Sequence, residues 1–365
     1  MDESRGSVAY NGDVSDLSTV YSLDDGDIYD RVWMPVIAQW RPDHLVVAFG
    51  HHLRGKVDMG DICCSVSRDG GRSWQPPVTV LDHRQLHGTV RYAYANPVLF
   101  RPAGQDILWC FAMRCELHYP DSEDSRLCAA YSIDGGYSWQ PVELAVGFHG
   151  GLITCGEIVA WPAAGGMRYL LPAHLNSARH DPHGRCDHFV LESDNLIAWR
   201  LAGYIPQPED KPVFMHEGSI ALGTTANELQ IVMRTAEYPK GHAAIDPPVA
   251  YASQSLDGGR TWSPGAPEPA LHNTVSKAYY GRDSLGRHLY VYSTGPAWQR
   301  LGLAYKVQSV EGAWGPERAF YDAGVHNSYP SLIEYAPGQY HAVWDSSQDA
   351  ERHRTLIRYG RLRLD

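Results

Sequence analysis

Five side chains of reactive type stand at or near the ends of apolar runs. Glu217 opens EGSIAL, Arg234 closes ELQIVMR, Arg300 follows HLYVYSTG, Tyr329 opens YPSLIEY, and Asp58 lies in the stretch HHLRGKVDMG at 51–60. A planar guanidinium binds a carboxylate through paired, charge-assisted hydrogen bonds, so Arg234 and Arg300 suit an acidic ligand. A tyrosine hydroxyl, whose reference pKa is about 10, gives up its proton near neutrality only when a base adjoins it. Taken singly, each residue also has a plain structural use. Glu217 and Arg234 suit a strand-end ion pair, Tyr329 is one of 22 tyrosines, and Asp58 suits a turn. Chemistry follows only if the fold brings them to one place.

The elements that must do so are visible as a repeat. SRDGGRSW (67–74), SIDGGYSW (132–139) and SLDGGRTW (255–262) share one pattern, and ESDNLIAW (192–199) is a weaker copy. Their aspartates, Asp69, Asp134, Asp194 and Asp257, are 65, 60 and 63 residues apart, each five before a tryptophan: Trp74, Trp139, Trp199 and Trp262. A worn fifth copy surrounds Trp314. Each box follows a β-rich run such as DICCSVS, RLCAAYS or PVAYASQS, so it reads as a hairpin turn. Aspartate accepts turn N–H groups, Gly-Gly supplies positive φ, and the indole packs on the hairpin. A period of about 62 residues divides 365 into six four-stranded antiparallel units, which predicts an all-β, six-bladed β-propeller as one domain over 1–365. The N-terminal STVYSL is expected to close the last blade as its outer strand. If each box joins a blade's third and fourth strands on one face, alternation puts Asp58, Glu217, Arg234, Arg300 and Tyr329 on the other.

Composition narrows the function classes. Glycine (35), proline (24), tyrosine (22) and tryptophan (11) suit short strands and tight turns. Hydrophobic content of 44% suits a globular protein, and no run approaches the ~20 apolar residues of a membrane span. A net charge of −11 disfavours nucleic acid and anionic membranes, so an acidic ligand needs a local cluster of cations. Seven cysteines, 63, 64, 110, 115, 128, 155 and 186, form an odd, scattered set unlike a disulfide framework. The opening MDESRGSVAY has neither a basic n-region nor an apolar h-region, so the cytoplasm is the expected location, or a secreted one if a leader has been trimmed.

The S-x-D-x-G-x-x-W repeats resemble the Asp boxes, or BNR repeats, of the sialidase (neuraminidase) superfamily. AWQRLGLAYK followed by SYPSL resembles the sialidase stretch that holds a carboxylate-binding arginine and then the tyrosine nucleophile, here Arg300 and Tyr329. HEGSIAL followed by MRTA resembles the stretch with the tyrosine's glutamate partner and a second arginine, here Glu217 and Arg234. GKVDMGD offers Asp58 where the family has its acid/base aspartate. The resemblance implies retaining hydrolysis of a terminal acidic sugar, a sialic acid or related nonulosonic acid, with no metal or cofactor and with an acidic glycan as partner. The chain departs from the family where Arg-Ile-Pro opens the first inner strand. It reads Arg31-Val32-Trp33-Met34-Pro35, with Arg31 two residues early and Trp33 in the arginine's place. His51, Arg54 and Arg114 are further substrate-contact candidates on the same face.

Two other functions fit these residue types: a lyase or hydrolase on uronic acid glycosides, and a non-catalytic sugar-binding propeller. The run ARHDPHGRCDH holds His180, His183, Cys186 and His188, dense enough for zinc but matching no standard ligand spacing, so a polar substrate-contacting loop is the preferred expectation.

Overall fold

The computed structural model describes residues 12–23, 28–56, 58–86, 92–116, 125–148, 151–163, 165–175, 188–237, 243–296, 299–349 and 354–364. Their regular structure is almost all strand, and the helical structure among them is the 3-10 turn His83–Gln85. No helix among the described residues is long and apolar enough to cross a membrane. Many strands are buried along their whole length: Gly60–Ser67, read from sequence as DICCSVS, is buried at every position. A strand covered on both faces carries a continuous apolar run rather than strict alternation.

The strands form small antiparallel sheets in a propeller arrangement. Three sheets are separate and four-stranded. One holds Phe214–Leu222, Leu229–Ala236, Val249–Ser255 and Ala266–His272; the next holds Tyr279–Arg282, His288–Ser293, Leu303–Gln308 and Arg318–Tyr321. In the third, Val14–Ser22 pairs antiparallel with Leu356–Arg363, beside Gln339–Ser347 and His326–Ala336. Where the sequence predicts six four-stranded antiparallel blades, hydrogen bonding among the described residues groups the strands into five sheets. The four strands from Tyr29–Arg41 to Val78–Leu81 and the four from Tyr92–Phe100 to Gln140–Val142 join at one pairing, Gly60 with Tyr94, into an eight-stranded sheet. The sheet around Gly166–Leu175 is six-stranded, because the chain preceding that strand pairs with it as two short pieces, Leu152–Thr154 and Val159–Ala163, and Ala145–Val146 adds a short parallel pairing to Ala198–Ile205 at the other edge.

The two four-stranded halves of the eight-stranded sheet bury their side chains against each other, as do separate neighbouring sheets. Trp40, Val46 and Ile62 pack on Leu99, Leu108 and Cys110, and Phe111 meets Trp199 edge-on at 5.4 Å. Each fully buried aliphatic or aromatic side chain contributes about 1.5–3 kcal/mol relative to exposure.

The turn boxes behave as local devices. Asp257 accepts from the N–H groups of Arg260 and Thr261 and the Thr261 hydroxyl, and Asp69 and Asp134 make matching bonds to Ser73 and Ser138. Gly71, Gly136 and Gly259 take φ of 91°, 98° and 88°. The indole N–H of Trp262 reaches Gly259 O, that of Trp199 Leu196 O, that of Trp139 Gly136 O, and that of Trp74 the Ser18 hydroxyl. Asp194 is the exception. Asn195 holds the fourth turn, its Oδ1 accepting from Ile197 and Ala198 N–H, while Asp194 pairs with Arg200 at 3.1 Å. This copy is one residue shorter between its serine and its tryptophan, so the serine-to-Asx spacing, not the Asx-to-tryptophan spacing, places the acceptor.

Candidate active site

Four strands slip register by one residue near their starts: Tyr29–Arg41 between Trp33 and Val36, Tyr92–Phe100 between Ala95 and Val98, Phe214–Leu222 between His216 and Ser219, and His326–Ala336 between Ser328 and Ser331. Each slip holds a non-glycine residue at positive φ: Met34 (53°), Asn96 (54°), Glu217 (36°) and Tyr329 (52°). Proline follows three of them and Gly218 the fourth. Proline cannot donate to a strand ladder and is at home at a bulge, which re-aims the neighbouring side chain. One backbone device, repeated around the propeller, thus places Glu217 and Tyr329, 112 positions apart, side by side.

The Tyr329 hydroxyl donates to Glu217 Oε1 at 2.9 Å. Arg234 Nη1 donates to Glu217 Oε2 at 2.6 Å and lies 3.4 Å from the Tyr329 oxygen. The Arg300 guanidinium sits 5.0 Å from the Tyr329 ring centre and donates to Val275 O at 2.9 Å. All four are buried, Tyr329 and Arg300 at 1% exposure. Burial and the Glu217 charge raise the Tyr329 pKa, against the lowering pull of Arg300 and Arg234. Burial alone would raise Glu217, but the charge and hydrogen bond of Arg234, with Arg300, leave it below the ordinary carboxylate range. Asp58, a quarter exposed and at φ 55°, is raised by burial, with Arg354, Arg31 and Arg300 pulling the other way. An ionised acceptor thus adjoins a protonated phenol, and a second carboxyl group nearby is biased towards its acid form.

The structure brings Glu217, Arg234, Arg300 and Tyr329 into contact, and Asp58 lies within their electrostatic field. Arg31 is turned to its own neighbours: it donates to Lys56 O at 2.8 Å and lies 3.2 Å from Asp30 and 3.6 Å from Asp58. Trp33 meets Tyr329 edge-on at 5.0 Å, and the Arg354 guanidinium covers its ring at 3.3 Å. His51 stacks on Tyr29 at 3.7 Å, and strand alternation turns the next residue, His52, against Trp33. Arg54 is an exposed turn residue, and Arg114 stacks over Tyr92 at 4.4 Å. His180, His183 and Cys186 lie outside the described residues.

Arg354 is the functional candidate that sequence reasoning missed. Its carbonyl accepts from Val32 N–H at 2.8 Å, its Nε lies 3.4 Å from His326 Nε2, and it stands at φ 62°. Burial and the nearby Arg300 lower its pKa to about 10, which leaves it charged at neutral pH. No motif surrounds it in ERHRTLIRYG, and the signal that could have found it is the vacancy at Trp33, which called for a cation from elsewhere. Among the described residues the group spaced to hold a metal ion is Asp61, Asp82 and His83, and there Tyr29 and His83 already bond Asp61.

Comparison with known proteins agrees with this architecture. The sequence profile of the BNR repeat-like domain matches residues 43–342. No curated protein matches the chain. Among solved structures, a protein of unknown function from Dyadobacter fermentans superposes with a TM-score of 0.68 at 16% identity, over 96% of this chain and 99% of that one. The Hadza microbial sialidase Hz136 gives 0.74 at 16%, over 95% and 68%. A leech intramolecular trans-sialidase, complexed with 2,7-anhydro-Neu5Ac, gives 0.69 at 12%, over 98% and 71%. With the Asp boxes, the propeller of small antiparallel sheets and a family profile spanning most of its length, the chain belongs to the BNR repeat-like domain family.

Proposed function

We propose that the protein is a retaining exo-glycosidase of sialidase type, acting on a terminal sugar that bears a carboxylate at its anomeric carbon. The observation that carries this reading is the 2.9 Å hydrogen bond from the Tyr329 hydroxyl to Glu217, with guanidinium groups from Arg234 and Arg300 beside the same tyrosine and that of Arg354 over Trp33, whose ring meets Tyr329 edge-on. An anionic nucleophile would approach such a sugar against a like charge, and a neutral phenol avoids this. Tyr329 attacks the anomeric carbon as its proton passes to Glu217, and the glycosidic bond breaks as Asp58 protonates the leaving oxygen. Asp58, now ionised, takes a proton from water. That water displaces the tyrosine oxygen, which recovers its proton from Glu217, and two inversions give net retention. Arg234, Arg300 and Arg354 hold the carboxylate throughout.

The test is a panel of chromogenic sialosides and uronides, followed both by released chromophore and by the absorbance of an unsaturated uronate. Chromophore release from a sialoside by the wild type, abolished in Tyr329→Phe with binding of the free acidic sugar retained, is the expected result. Unsaturated uronate instead would establish elimination, and full activity in a folded Tyr329→Phe protein would remove the nucleophile.

A further inference from the structure

We propose that His188 is a positioning residue for Glu217: from the neighbouring sheet, its Nε2 accepts the Gly218 N–H and so holds the bulge that aims the carboxylate at Tyr329. The proposal rests on Glu217 being the proton acceptor of Tyr329.

Glu217 sits at φ 36° where the ladder between Phe214–Leu222 and Leu229–Ala236 slips between His216 and Ser219. A bulge removes regular partners from its backbone groups, and a buried N–H without a partner is destabilising. Gly218 N–H finds its acceptor outside its own sheet, in His188 Nε2 at 2.9 Å. His188 is wholly buried at the start of His188–Ser193 and cannot turn to water instead. Residue 218 must be glycine for this approach, since a Cβ there would lie 2.6 Å from His188 Nε2. The histidine, the strained glutamate and the glycine therefore form one unit.

The bond also fixes the chemistry of the ring. An imidazole nitrogen that accepts an N–H carries no proton, so the proton of neutral His188 resides on Nδ1. Burial, with His174 at 6.1 Å between ring centres, pushes the His188 pKa well below its ordinary value, so the acceptor form persists. Cys155 Sγ lies 3.7 Å from the same nitrogen, and burial raises its thiol, leaving it uncharged. With Nε2 engaged by Gly218, this nitrogen is not a ligand for zinc. Freed from His188, the backbone at Gly218 would relax towards a regular ladder, and a displacement of about 1 Å at a reacting group costs on the order of a hundredfold in rate.

Two variants test this in the intact protein. His188→Leu keeps bulk and removes the acceptor, and His188→Gln restores one as an amide carbonyl. On a chromogenic sialoside, kcat should fall about ten- to a hundredfold in His188→Leu and recover most of that loss in His188→Gln, while KM and the affinity for free N-acetylneuraminic acid change less than about threefold. Hydrogen exchange at the Gly218 amide supplies a readout independent of turnover: protected in the wild type and in His188→Gln, fast in His188→Leu. Unchanged protection in His188→Leu overturns the proposal, and so does an equal loss of kcat in both variants. A wild type inactive on every acidic glycoside would overturn the assignment of Glu217, with the amide result then deciding the structural role of His188 by itself.

Discussion

If Arg354 holds the substrate carboxylate in place of an arginine on the first inner strand, then removing its charge must weaken acidic sugars and spare neutral ones. Arg354→Met keeps an unbranched stem against the Trp33 ring and deletes the guanidinium that covers it at 3.3 Å. A hydrogen bond to a charged group is worth about 1.5–3 kcal/mol, and 1.4 kcal/mol is tenfold, so the dissociation constant of a free acidic sugar should rise about 10- to 150-fold. The upper end is expected, because Arg354 is only partly exposed and stands close to Arg300 yet is still charged at neutral pH. Arg31→Ala is the control. Its guanidinium already serves Lys56 O and Asp30 and is 27% exposed, and half-exposed pairs of that kind are worth about 0–1 kcal/mol, so affinity should change less than about fivefold. Calorimetric titration with free N-acetylneuraminic acid is the appropriate assay. Rates are less direct, because Arg354 also lowers the Asp58 pKa and its loss changes the proton donor as well as the binding. A normal dissociation constant in Arg354→Met, or a larger loss in Arg31→Ala than in Arg354→Met, would refute the reasoning.

If the acid form of Asp58 is the proton donor, the pH profile of kcat/KM on a sialoside should have a basic limb set by Asp58, whose pKa burial raises. Arg31→Ala removes a cation that lowers that pKa, so the basic limb should move to higher pH, and a shift to lower pH would contradict the assignment of Asp58 as donor. In the shortened turn box, Asn195→Ala should cost about 1–2 kcal/mol of stability, read as a lower Tm, and Asp194→Ala less than about 0.5 kcal/mol. The reverse order would restore Asp194 as the turn acceptor.

Much of the architecture was legible in the amino-acid order because its causes are local. A serine-x-aspartate followed by Gly-Gly closes a turn with bonds that span four residues, as at Ser67, Asp69 and Ser73, so three boxes and their spacing announce the propeller. Runs such as DICCSVS and ELQIVMR announce buried strands, and Glu217, Arg234, Arg300 and Tyr329 at strand ends could be assigned to one face by alternation alone. In the fourth box the tryptophan spacing points to Asp194, whereas the backbone follows the serine and places the acceptor at Asn195. Other features depended on closure of the ring, which no local pattern encodes. Arg354 meets Trp33 across 321 positions because the strand Leu356–Arg363 and its neighbours pack beside Tyr29–Arg41, and the Val32 N–H then bonds the Arg354 carbonyl. His188 meets Gly218 because a bulge turns one backbone N–H out of its own sheet towards the next. Sequence alone determined the repeating unit, its turns and the face on which reactive residues gather, since these rest on bonds between near neighbours. Which cation completes the cluster and which group holds the glutamate were decided by the tertiary structure, because they depend on distances between sheets that exist only once the ring has closed.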